Sequence, residues 1–295
     1  GTTAPQYPLD LVGNANFSGN IAAGNLGMFR NRIINGNMVI SQRGTSATVG
    51  IGTNVVTYVI DRFAIGSTIA TGGGGLTYIQ NTLTTSDTPY KYGFRNSLKI
   101  TASTACTSYT FINPVQTIEG YNITDFNWGS SYGSSITVSF WLRSNVASSS
   151  LIPFTLRNAN AGSSFWTYNT NITLTSSGNW QYVVIQIPAP SSSSTWNSNS
   201  TSGGIEVMIG GLVLASLSSS PNTWQNANYI GTTTSLNIWA TLNNYIEFTG
   251  LQLEKGTINT PFEFRPYAVE LQLCQRYCYS FIGSRIALGN WLTST

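Results

Sequence analysis

Short runs of alternating apolar and polar residues recur through this chain, each closed by Gly, Ser, Asn or Pro. That alternation is the period of a strand with one buried face. It is read at 58–65, 76–80, 97–102, 109–118, 136–144, 152–157, 165–174, 180–187, 205–214, 235–241 and 245–253. No helical period shows before Tyr267. From there Val269, Leu271, Leu273, Arg276 and Tyr277 fall on successive turns and predict a helix over 267–279. Regular short strands with such punctuation predict an all-β fold, a jelly-roll-like antiparallel β-sandwich over residues 28–266.

Ahead of that domain the pattern differs. Gly-Asn pairs recur at Gly13-Asn14, Gly19-Asn20 and Gly24-Asn25, with Val12, Phe17, Ile21 and Leu26 as single apolar residues around them. One buried position per turn over residues 1–27 suits a β-helical or intertwined fibre shaft, which needs partner chains to cover so short a face. An irregular Gly/Asn-rich linker is the alternative. Residues 28–41 read as strand, turn and strand, because Asn35-Gly36 is the strongest short hairpin signal. In 58–65 the neighbours Asp61 and Arg62 are expected on opposite faces of one strand. Beyond the predicted helix another strand pattern begins, so 267–295 reads as a connector helix and the start of a further β segment. A chain cut short, or finished by partner subunits, is expected.

Only 8% of the residues are charged, against roughly 25% in ordinary domains. The surface must therefore consist mainly of Ser, Thr, Asn, Gln and Gly. With 41% apolar and 12% aromatic residues the chain is not of disordered composition. Such a neutral, hydroxyl-rich surface suits an extracellular particle or fibre better than a cytosolic enzyme. The net charge of +3 is spread thinly, with Arg30, Arg32 and Arg43 as the local basic cluster. Nucleic-acid binding needs a more concentrated basic face and is not expected. No stretch of about 18 apolar residues is present to insert in a membrane, and the first ten residues lack a secretion-signal pattern. Cys274 and Cys278 share a helical face but not a disulfide's geometry, and with Cys106 they read as small buried apolar residues.

The sequence contains no histidine. That removes Ser-His-Asp and Cys-His arrangements and the commonest metal ligand. A glycosidase needs two carboxylates facing one sugar, and only Glu206 and Glu247 fall on non-core faces of predicted strands. No catalytic residue or cofactor is assigned; Asp125 with Asn122 and Asn127 offers oxygen ligands for a structural calcium, without the spacing of a calcium loop.

What remains is binding. In 136–144, Ile136, Val138, Phe140 and Leu142 share the core face, leaving Thr137, Ser139, Trp141 and Arg143 on the other. Trp180 and Tyr182 likewise lie opposite Val183, Ile185 and Ile187, while Asn237 and Trp239 lie opposite Leu236, Ile238 and Ala240. Sugars are held by stacking on aromatic rings and by hydrogen bonds. Trp141, Arg143, Trp180, Tyr182, Asn237 and Trp239 are therefore the candidate carbohydrate-binding residues. Trp128, Trp166, Trp196 and Trp224 fall in or near loops, as plugs on the sandwich end or as ligand platforms.

The strings FRNRIINGNM and QRGT near the start, and GLQLEKG, TPFEFRPY and ELQLCQRYCY near the end, resemble the opening and closing of a β-sandwich module. That module is found in phage tail fibres and in fibre-like proteins of large algal viruses. The resemblance covers about residues 28–279. It implies a carbohydrate-module-like head domain on a virion fibre or tail, exposed at the virion surface. It also implies homotrimeric assembly, other virion structural proteins as neighbours, and attachment to host cell-surface glycan. SFWLRS and YIEFTGLQLE are further similar to β-sandwich carbohydrate modules that often hold a structural calcium. Their final strand commonly carries two acids where this chain has Glu247 followed by Phe248, a departure from that ligand set. The rival readings are a purely structural capsid or tail component, whose aromatic faces pack subunits, and an enzyme that degrades polysaccharide.

Overall fold

A computed structural model of the chain describes residues 29–280, apart from 70–72, 108, 160–164 and 214. In chain order the strands are β1 (Ser46–Val49), β2 (Val55–Tyr58), β3 (Ala64–Ile69), β4 (Gly75–Thr82), β5 (Asn96–Thr104), β6 (Tyr109–Glu119), β7 (Ile136–Ser144) and β8 (Leu151–Asn158). They continue with β9 (Thr167–Thr173), β10 (Gln181–Ile187), β11 (Gly203–Ile209), β12 (Leu212–Val213), β13 (Ser218–Ser219), β14 (Thr223–Gln225), β15 (Gly231–Thr232) and β16 (Tyr245–Lys255). A single helix, α1 (Tyr267–Gln275), follows.

One sheet runs β1-β4-β5-β16-β7-β10 and the other β14-β9-β8-β11-β6-β3-β2, with β12 also on β6. Pairing within both is antiparallel, so the expected antiparallel β-sandwich is the fold. The alternation in β7 shows why the sheets stack. Ile136, Val138, Phe140 and Leu142 are fully buried between them, each worth about 1.5–3 kcal/mol relative to exposure. Phe140 on one sheet stacks on Phe154 of the other at 6.4 Å between ring centres, and Phe63 meets Phe248 edge-on at 5.9 Å.

Three stretches depart from the sequence reading. Residues 58–65 are not one strand but the bend between β2 and β3. The Val59 amide bonds the Phe63 carbonyl, and Arg62 takes a left-handed φ of 72°. The run looked strand-like because Val59, Ile60 and Phe63 all sink into the core; burial without periodicity does not distinguish turn from strand. Residues 235–241 are not a strand either, but a loop with a 3-10 turn at Ile238–Ala240.

Of the hairpin read at 28–41, the described residues 29–41 keep the Asn35-Gly36 turn and lose the flanking strands. Asn35 is fully buried with φ 61°. Its side chain donates to the carbonyls of Ile40 and Asp61 and accepts from the Ile40 amide, at 2.8–2.9 Å. This polar hub replaces the ladder a hairpin would have made.

The opening segment instead docks on the end of β16 and the stretch after it. Asn31 bridges the Leu251 carbonyl and the Leu253 amide, and the Arg32 amide bonds the Leu253 carbonyl at 2.9 Å. Residues 262–265 alternate like a strand. Glu263 accepts from the Phe29 and Asn31 amides and Arg265 donates to the Asn31 and Ile33 carbonyls, while Phe262 and Phe264 point the other way. The first and last motifs of the family resemblance are thus in direct contact.

The helix ends at Gln275 rather than Tyr279, its last turn tightened by the Tyr277 amide, which bonds the Cys274 carbonyl three residues back. It is clamped to the sandwich. Cys274 packs with Ile34 and Ile40, Arg276 and Tyr277 bond Glu119 at 2.9 and 2.6 Å, and the Arg62 guanidinium lies 3.4 Å over the Tyr277 ring. All three cysteines are free thiols, Cys106 and Cys274 being buried. The expected shaft at 1–27 and the strand pattern after the helix lie outside the described residues.

Candidate functional site

The outer face of the β7 sheet carries the site. Trp141 and Arg143 project there because their neighbours fill the core. Register then supplies their partners: Tyr182 of β10 and Thr249 of β16 lie opposite Trp141, and Glu247 lies opposite Arg143. Such cross-strand pairs bring side chains into contact on one face. Tyr182 and Trp141 ring centres are 5.1 Å apart, and Tyr92, from the 3-10 turn Thr88–Tyr92, adds a third ring 5.0 Å from Trp141.

Beside this platform stands a second aromatic group. Phe94, Phe262 and Phe264 form a triangle with sides of 4.9–5.1 Å. A bulge in β16 makes room for it: register shifts between Thr249 and Gln252, and Gly250 adopts φ 68°. A Cβ on Gly250 would fall 2.6 Å from the Phe94 ring. Together with Asn259, Thr260 and Pro261 these rings line an open groove of about 620 Å³.

Next to the groove, Arg143 is held by two carboxylates. Its Nε donates to Glu247 at 2.8 Å and its Nη1 to Asp87 at 2.9 Å, and its plane lies 4.6 Å over Trp180. Trp180 Nε1 also bonds Asp87, at 3.0 Å. Burial works against the Asp87 charge. Hydrogen bonds from Thr84 and Trp180 and the Arg143 guanidinium outweigh it and hold the carboxyl below the usual carboxylate range. Glu247 is wholly buried, accepting also from Ser97 at 2.6 Å and Asn81 at 2.9 Å. One cation faces two carboxylates, so no free positive charge is offered there.

Of the residues singled out from sequence, Trp141, Arg143, Trp180 and Tyr182 come together here. Trp239 and Asn237 do not. With no strand at 235–241, Trp239 turns into the core at 0% exposure and bonds the Gly210 carbonyl at 3.1 Å. Asn237 is half-buried and donates to the Tyr109 hydroxyl. Tyr92, Phe94, Phe262, Phe264, Asp87 and Asn259 were missed. The aromatic crowding in YKYGF and TPFEF was the available signal, but loops have no period by which to assign a face.

The loop tryptophans resolve as a plug. Trp128, Trp196 and Trp224 pack mutually at 4.6–5.5 Å against the core. Each indole N–H has a partner: the Ser134 carbonyl, Ser194 Oγ and the Pro188 carbonyl, all at 2.7 Å. Trp166, the fourth, is half-buried.

The carboxylate pair open to glycosidase chemistry is divided by the sandwich. Glu247 lies on the outer face of one sheet and Glu206, bonded to Arg157 at 2.7 Å, on that of the other. Asp125, weighed for calcium, pairs with Arg32 at 2.9 Å and lies 3.8 Å from Lys255. Among the described residues no group of three or more His, Cys, Asp or Glu side chains is gathered as a metal site.

No family model matches the chain, and no curated protein does. Solved structures match it only at low identity and with TM-scores below 0.5. The enzymatically active domain of bacteriophage CBA120 tailspike protein 4 is 12% identical with a TM-score of 0.36, covering 81% of this chain and 24% of that one. The chain thus spans about a quarter of the length of that tailspike domain. The CBM22-1 xylan-binding domain of Paenibacillus barcinonensis Xyn10C is 12% identical, TM-score 0.33, covering 72% and 95%. The family 11 carbohydrate-binding module of Clostridium thermocellum is 14% identical, TM-score 0.30, covering 73% and 98%.

Proposed function

We propose that this chain is a non-catalytic saccharide-binding module whose ligand lies in the groove over Tyr92, Trp141 and Tyr182. The observation that carries the reading is the aromatic platform itself. Tyr92 is 60% and Tyr182 43% exposed, an arrangement that suits the C–H face of a pyranose. Among the described residues, no protein hydrogen bond engages either hydroxyl or the Trp141 indole N–H, so all three are free for sugar hydroxyls. The groove is lined by no charged residue, which fits a neutral ligand.

The setting we propose is the surface of a virion, as a homotrimeric fibre or tail head domain attached to host cell-surface glycan. Its support is the sequence resemblance at the two ends of the module. A glycan array with wild type and Tyr182→Ala tests the binding reading. Wild-type signal on a defined set of saccharides, lost in the variant, is expected; a blank array places the structural-component reading ahead. Native mass measurement tests assembly, where a clean monomer of the full chain at micromolar concentration sinks the trimer.

A further inference from the structure

Resting on the saccharide-binding reading, we infer that the groove selects a neutral sugar bearing an acetamido group, whose methyl packs against the phenylalanine cluster. The groove has two chemically different ends. The Tyr92–Trp141–Tyr182 end combines ring faces with three unengaged polar atoms. The Phe94–Phe262–Phe264 end has rings with no polar atom at all, flanked by Pro261 and the side-chain-free Gly250.

Polar groups near the triangle are almost all taken. The Thr260 amide and hydroxyl both donate to Glu254, at 2.8 and 2.7 Å, and its carbonyl accepts from Gln252 at 3.2 Å. The Pro261 carbonyl accepts from Arg30. What remains is Asn259, exposed, lining the groove, its side-chain amide held by no partner among the described residues. A sugar hydroxyl or hydroxymethyl pushed against three phenyl rings loses its water and gains no hydrogen bond, which is unfavourable. An acetamido group matches both features at once. Its methyl is apolar, and its amide can exchange donor and acceptor with the Asn259 amide.

Charge in the groove's own lining does not favour an acidic substituent, since no charged residue lines it. A carboxylate or sulfate needs an unpaired cation, and Arg143, on the groove's own sheet face, already serves Asp87 and Glu247. In the neighbouring cleft Arg30, Arg32 and Lys255 stand against Glu254 and Asp125.

The test is calorimetric titration of the full chain with two probes of equal length, tri-N-acetylchitotriose and cellotriose, on wild type, Phe264→Ala and Phe264→Leu. Wild type is expected to favour the acetylated trimer by about tenfold, the scale of one well-seated apolar group plus a hydrogen bond. In Phe264→Ala that ratio falls toward one. In Phe264→Leu, which keeps the end apolar, most of it survives; thermal melts confirm that both variants are folded. Equal wild-type affinity for the two probes overturns the inference, as does an unchanged ratio in Phe264→Ala. If neither trimer binds while other saccharides on the array do, the acetamido assignment fails and the saccharide-binding reading stands. If no saccharide binds at all, both fail.

Discussion

Tyr182 sits directly across the β7–β10 ladder from Trp141, and their rings meet at 5.1 Å. The two members of this pair are not equivalent. Trp141 is 9% exposed and belongs to a buried cluster with Leu83 and Phe94, while Tyr182 is 43% exposed. Tyr182→Ala is therefore expected to weaken saccharide binding about tenfold with little change in melting temperature. Trp141→Ala should lose binding and also lower the melt. Titration and calorimetry on both variants check this; a Tyr182→Ala protein that binds like wild type removes the platform from the site.

The sandwich and half of this site were legible because strands carry their own ruler. Residues 136–144 and 180–187 assign Trp141, Arg143 and Tyr182 to one face by counting in twos, and the pairing of their strands does the rest. The other half of the groove comes from YKYGF and TPFEF, where no period exists. Its geometry depends on the Gly250 bulge and on contacts between residues some 230 positions apart. Two of the errors share a cause. At 58–65 and 235–241 apolar residues are buried by tertiary packing around turns, and a short buried turn shares the composition of a strand.

Trp239 separates those two kinds of reading experimentally. On the face count it belonged to the sugar platform; in the fold it is a fully buried ring with its indole N–H on Gly210. Trp239→Ala is expected to destabilise the domain by about 3–5 kcal/mol, while the folded fraction retains its saccharide affinity. Urea unfolding followed by titration below the midpoint measures both. A variant with wild-type stability and no binding returns Trp239 to the site.

Asp87 ties the groove to pH. Its carboxyl is held below the ordinary value of about 3.9. The stabilisation it contributes is therefore complete above the unfolded value and is lost as pH falls through the lower folded one. Wild type should lose melting temperature more steeply than Asp87→Asn as pH drops from about 4 toward 2. The variant starts lower at neutral pH, since Arg143 and Trp180 lose a charged acceptor. Parallel melting curves across that range would show that Asp87 contributes nothing to acid sensitivity.

Gly36 tests the contact between the module's two ends. The Asn35-Gly36 turn presses against β16 so closely that a Cβ on Gly36 would lie 2.1 Å from the Leu251 carbonyl oxygen. The obstacle is backbone, which cannot rotate away as a side chain would. The same approach makes the 2.9 Å bond from the Leu251 amide to the Gly36 carbonyl. Gly36→Ala must therefore push the opening segment off β16 and break that bond, with an expected loss of about 2–4 kcal/mol. The displacement should pass to Glu263 and Arg265, which grip the same segment, and so to Phe262 and Phe264 on the other side of their strand. Saccharide affinity is thus expected to fall along with stability, although Gly36 does not line the groove. Hydrogen exchange reads the mechanism directly: the Leu251, Leu253 and Asn31 amides, bonded to Gly36, Asn31 and Glu263, should lose protection in the variant. A Gly36→Ala protein with native exchange at those three amides would mean that the opening segment and the groove are not coupled.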